Sequence, residues 1–168
     1  DDSVLVCDFL TIGICEEGSA PVMDPITPST LLALPAHSFE VITMCLVLSY
    51  LPSPAHRELM IANARKLLIG SSASTTTDAS PCKPHMPHRS GLLLIAEKIS
   101  IFDWKIGKSA ANKQEHENDA PASRHEWTTC ICELGFDLVT YQTKLFAGHH
   151  VHLFAFRVAP LAPLPPLL

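Results

Sequence analysis

A chain of 168 residues with 47% hydrophobic content can bury one core of ordinary size but not two. Charged residues make up 17% and the formal net charge is −5, which argues against a surface that holds phosphate backbones by charge alone. Six cysteines, mostly inside apolar runs, and an N-terminus without a basic-then-apolar leader point to a reduced, soluble protein of the nucleus, nucleolus or cytoplasm.

The run Val4-Leu5-Val6-Cys7-Asp8-Phe9-Leu10, apolar but for one acid, predicts a buried strand with a carboxylate at its C-terminal tip. Pro21, Pro25, Pro28 and Pro35 argue against regular structure in the next stretch, apart from one helical turn over Ser29 to Leu34. From Phe39 to Leu48 the chain is almost continuously apolar, the pattern of a central strand covered on both faces. Ser53 and Pro54 supply an N-cap hydroxyl and a proline pre-set for the first helical position, and Met60, Ala64, Leu67 and Leu68 recur at helical spacing. A helix from Pro54 to Leu68 is predicted, with Arg57, Glu58, Arg65 and Lys66 toward water.

Between residues 70 and 90 the composition turns to Ser, Thr, Pro and His, with too little apolar surface to offset the entropy of ordering it; a low-complexity, mobile insert is expected. Gly91 to Glu97 reads as a buried strand, and Lys105 to Ser123 as a polar, irregular stretch. His125 to Leu134 reads as a helix that Gly135 ends in a left-handed cap, followed by strands at Phe136 to Tyr141 and Val151 to Val158. The proline-rich tail at 159–168 favours extended conformations and is too short to span a membrane. This order suggests one open α/β sheet over 1–158 whose last strand pair is antiparallel.

Four blocks then carry a resemblance. Ser38-Phe39-Glu40-Val41-Ile42, with Cys45-Leu46-Val47-Leu48-Ser49-Tyr50-Leu51-Pro52-Ser53-Pro54 and Arg57, resembles the fourth-strand segment of the 25S ribosomal-RNA adenine-N(1) methyltransferase family, which also holds the SAMTOR-type S-adenosylmethionine sensors. Cys7-Asp8-Phe9-Leu10 resembles the family's Gln-Asp-Phe-Leu, and Gly91-Leu92-Leu93-Leu94-Ile95 its fifth strand. Leu134-Gly135-Phe136 with His152-Leu153-Phe154-Ala155-Phe156-Arg157 resembles its final hairpin. The resemblance implies a Rossmann-like class I methyltransferase sheet with S-adenosyl-L-methionine as cofactor. It also implies a sheet incomplete at the N-terminus, because the family's glycine-rich first loop and ribose-holding acid have no counterpart after Asp1.

Site residues follow from the same resemblance. Asp8 falls where class I methyltransferases place the acid that accepts from the cofactor's adenine amine, with Phe9 beside the base; a surface acid ending a strand is the plainer alternative. Cys45 and Leu46 close the fourth strand, where its backbone lines the cofactor, or are simply core. Ser49 and Tyr50 occupy the substrate loop of amino-methylating enzymes without its Asn/Asp-Pro-Pro-Tyr/Phe motif; Tyr50 could stack a flipped adenine or pack under the helix start. Transfer to adenine N1 is mainly a matter of in-line positioning, so no catalytic residue is nominated. Cys82, His85 and His88 read as low complexity, and His149, His150 and His152 as an edge-strand surface; no metal site is expected.

Three functions compete. The first is N1 methylation of adenine in large-subunit ribosomal RNA, with that RNA as partner in the nucleolus. The second is a non-catalytic S-adenosylmethionine sensor contacting an mTOR-complex signalling assembly, and the third a degenerate fragment. The closeness of Leu48-Ser49-Tyr50 to the fungal pattern favours the first.

Overall fold

The computed structural model describes residues 4–70, 90–98, 124–146 and 149–160. The predicted insert apart from Gly70 and Ser90, the polar stretch from Lys105 to Ser123 and the tail beyond Pro160 lie outside the described residues. In chain order the strands are β1 Gly13–Cys15, β2 Val22–Met23, β3 Leu31–Pro35, β4 Val41–Cys45, β5 Leu92–Lys98, β6 Phe136–Phe146 and β7 His149–Val158. Helix α1 spans Pro54–Leu67, α2 spans Arg124–Glu133, and a 3-10 turn covers Leu48–Tyr50.

Helix α1 starts as its sequence dictates. Ser53 is extended, with φ −128° and ψ 151°, its hydroxyl accepts from the His56 amide at 3.2 Å, and proline follows. Ser53→Ala is expected to cost about 1 kcal/mol of stability, read as a shifted urea midpoint at unchanged m-value. Met60, Ile61, Ala64 and Leu67 are buried, and the adjoining Leu68 with them. Arg57, predicted to face water, is 1% exposed. Positions 57, 60, 61 and 64 share one helical face, so this guanidinium is carried inward and donates from Nη1 to the Leu51 carbonyl at 2.7 Å. Arg65 is half-buried and donates from Nε to the Gly135 carbonyl at 3.0 Å, tying α1 to the end of α2.

Helix α2 stops where Gly135 takes φ 90° and its amide bonds back to Cys132 at 2.9 Å, the cap predicted for it. The chain then runs directly into β6. Four strands form a sheet in the order β4-β5-β7-β6. β4 and β5 are parallel, in register from Val41 opposite Leu92 to Cys45 opposite Ala96, while β7 lies antiparallel to both β5 and β6. This is an α/β arrangement: a mixed sheet whose last strand pair is antiparallel and whose parallel part, among the described residues, is one strand pair.

Alternation along β5 sends Leu93, Ile95 and Glu97 to the helix-covered face. Leu93 and Ile95 meet Phe154, Phe156, Phe136, Trp127, Ile131 and Ile61 there in one core. The opposite face forms a shallow apolar depression of about 360 Å³ lined by Thr43, Leu94, Ala96, Gln142, Leu153 and Ala155. At the start of β5, Gly91 is required by space: a Cβ there would stand 2.8 Å from that of Leu68.

Four expectations are corrected. Val4 to Leu10 is no strand: Val6 makes one parallel bridge to Thr30, and Val4 and Val6 are 84% and 61% exposed. Asp8 diverts the chain, its carboxylate accepting from the Leu10 amide at 3.0 Å and the Thr11 hydroxyl at 2.9 Å. The proline-rich stretch holds β1, β2 and β3 as a separate small sheet in the order β1-β3-β2, with β3 where a helical turn was predicted. Proline is tolerated because Pro21 precedes β2 and Pro35 ends β3. Finally, β4, expected as a central strand, is an edge strand among the described residues, with Val41, Thr43 and Cys45 exposed.

Candidate functional site

In parallel α/β sheets ligands gather beyond the C-terminal ends of the strands. Here those ends are Cys45 on β4 and Glu97 with Lys98 on β5. The chain leaves β4 abruptly, because Leu46 has φ 56°, a region that an L side chain enters at a cost of roughly 1–2 kcal/mol. Its amide still donates to the Ala96 carbonyl at 2.7 Å, and its carbonyl accepts from the Ser49 hydroxyl at 3.2 Å. The 3-10 turn follows, closed by Tyr50 N to Val47 O at 3.1 Å and Leu51 N to Leu48 O at 3.2 Å.

Glu97 reaches this turn from the neighbouring strand. Its side chain is fully buried, its Oε1 accepts the Leu48 amide proton at 2.7 Å, and its Oε2 is buried with no hydrogen-bond partner among the described residues. Burial pushes the carboxyl above its ordinary value, against hydrogen bonds from Leu48, Ser49 and Lys98 that pull it down. Directly opposite on β7 stands His152, 5% exposed, with Nδ1 at 2.7 Å from the Tyr141 hydroxyl. Burial holds this imidazole below its ordinary value, helped by His150 and Arg124, so it is neutral at pH 7. The guanidinium of Arg124 lies 4.7 Å over the Tyr141 ring.

A raised carboxyl has a signed consequence for stability. Glu97 stabilises the fold fully below the unfolded value of 4.5, and that contribution is lost as pH rises through the higher folded value. Thermal melts should therefore show the Glu97→Gln variant gaining on the unmodified chain as pH increases from about 4.5 to 7. A gap that stays constant with pH would contradict the burial of an ionisable group.

Cys45, Leu46, Ser49 and Tyr50 come together on the rim. Tyr50 is 77% exposed, so its ring is not packed under the start of α1. Asp8 and Phe9 belong to a different segment, and Phe9 packs against the same core as Val47 and Leu51. Asp8 is exposed in its own turn, and the Phe9 carbonyl accepts from Asn63 Nδ2 at 3.0 Å, in the C-terminal half of α1. The expected position of Asp8 at the tip of a sheet strand is thus corrected.

Glu97, His152 and Tyr141 were not predicted for the site, although the signal was present. Glu97 shares strand parity with Leu93 and Ile95, and His152 shares it with Phe154 and Phe156. β7 is an interior strand of the sheet, which corrects the edge-strand reading of its histidines: His152 is buried and His150 exposed. Among the described residues no three His, Cys, Asp or Glu side chains gather as metal ligands, and Cys82, His85 and His88 lie outside those residues.

No protein-family model matches the sequence. The chain is similar to the S-adenosylmethionine sensor upstream of mTORC1 of Xenopus tropicalis, 28% identical over 165 residues, covering 95% of this chain and 32% of the relative. The protein of the same name from Xenopus laevis is 28% identical over 172 residues, covering 99% and 34%. The chain therefore spans about a third of the length of these curated relatives. Among solved structures, an S-adenosylmethionine-dependent methyltransferase from Methanosarcina mazei superposes with a TM-score of 0.44 at 12% identity, covering 74% of this chain and 61% of that one.

Proposed function

We propose that this chain is part of an S-adenosylmethionine-dependent methyltransferase domain that methylates N1 of an adenine in large-subunit ribosomal RNA, in the nucleolus. The observation that carries the reading is the turn from Leu46 to Tyr50, set at the C-terminal end of a parallel strand pair. The residues present fit one wall of a cofactor site: the bend at Leu46, the exposed Cys45 and the exposed ring of Tyr50.

Bound S-adenosylmethionine supplies an electrophilic methyl group on a sulfonium. The chain's own part is to seat the target base for in-line approach. With a net charge of −5 it does not draw RNA by charge, so base contact falls to stacking on Tyr50. The names of the two frog relatives favour a second reading, cofactor binding without transfer and a signalling complex as partner.

Calorimetry with S-adenosylmethionine, followed by methyl transfer to a 25S-type ribosomal RNA, separates these readings. Binding together with a product methylated at adenine N1 is the expected result. Binding without product puts the sensor in its place, and the absence of any binding contradicts both and leaves the degenerate fragment.

A further inference from the structure

A carboxyl group with no exposed surface is a costly choice at a position whose inward neighbours on β5 are Leu93 and Ile95. An apolar side chain there would leave one rim group unsatisfied. Leu48 is itself fully buried, its amide opens the 3-10 turn, and Val47 provides no side-chain cap. Glu97 Oε1 meets that amide at 2.7 Å from a residue distant in the sequence. The same turn carries the left-handed Leu46 at one end and the exposed Tyr50 at the other, so its shape depends on being held from below.

We propose that Glu97 is the positioning residue of the rim: by accepting the Leu48 amide proton it fixes the Leu46–Tyr50 turn in the form that receives the cofactor. This rests on the cofactor reading above. Only the acceptor oxygen at Oε1 is needed, so glutamine replaces Glu97 and an apolar side chain of similar length does not. Packing alone would make the opposite ranking, because exchange of a buried charged group for an apolar one is often neutral or stabilising.

The test compares the unmodified chain with Glu97→Gln and Glu97→Met, using calorimetry with S-adenosylmethionine, thermal melts and amide exchange by NMR. Glu97→Met should melt within a few degrees of the unmodified chain yet bind at least tenfold more weakly, with fast exchange at Leu48. Glu97→Gln should bind within about threefold and keep the Leu48 amide protected. Equal affinity for the methionine variant, or equal loss in both variants, overturns the proposal. If the unmodified chain does not bind S-adenosylmethionine, the cofactor reading fails, and Leu48 exchange still decides whether Glu97 fixes the turn: slow exchange in Glu97→Met refutes it.

Discussion

Trp127→Ala is expected to lower the unfolding free energy by about 3–5 kcal/mol, a large share of the roughly 5–15 kcal/mol available to a domain of this kind. Trp127 is 1% exposed, its ring centroid lies 4.9 Å from that of Phe154, and the Phe154 ring in turn lies 4.9 Å from that of Tyr141. The indole thus joins α2 to the two strands of the C-terminal hairpin, and its removal leaves a cavity that rigid strands cannot close. Urea unfolding followed by far-UV circular dichroism gives the number. Trp127→Phe should recover more than half of the loss. A change below 1 kcal/mol for alanine would mean that α2 does not pack on the sheet as described.

Arg57→Ala follows, with an expected loss of about 2–4 kcal/mol. Burial draws this guanidinium down from its ordinary value, and its Nη1 supplies the hydrogen bond that the Leu51 carbonyl receives just beyond the rim turn. Truncation removes the packing of the long aliphatic stem and leaves that carbonyl without its donor. Arg57→Met restores the stem only, so it should recover part of the loss in thermal melts. A surface arginine on α1 would show neither effect, and alanine within about 0.5 kcal/mol of the unmodified chain would contradict its burial.

The contrast between Arg57 and Ser53 shows how far the sequence reaches. Ser53-Pro54 and Gly135 act through local backbone chemistry, and both ends they mark are found where the residues place them. Residue type alone assigns Arg57 to water, whereas its spacing from Met60, Ile61 and Ala64 assigns it to the core; spacing decides. The apolar run at Val4 to Leu10 fails for a different reason. A strand needs a partner, and the side-chain hydrogen bonds of Asp8 offer the chain a turn instead. β3 is illegible for yet another reason: a short apolar run between prolines has no helical or strand period of its own.

The site was legible in the same uneven way. Cys45, Leu46, Ser49 and Tyr50 are contiguous, so once β4 was located they had to share one rim. Glu97 is brought beneath them only by the parallel register of β4 and β5, and no local pattern encodes that pairing. Asp8 required a strand that its own segment does not form.

Amide chemical-shift mapping by NMR during titration with S-adenosylmethionine tests the location of the site most directly. Shifts should concentrate on residues 45–50 and on Glu97 and Lys98, leaving the small sheet of β1, β2 and β3 unchanged. Shifts centred on that small sheet, or spread over the chain without a focus on the rim, would contradict the placement of the cofactor at the end of the parallel strand pair.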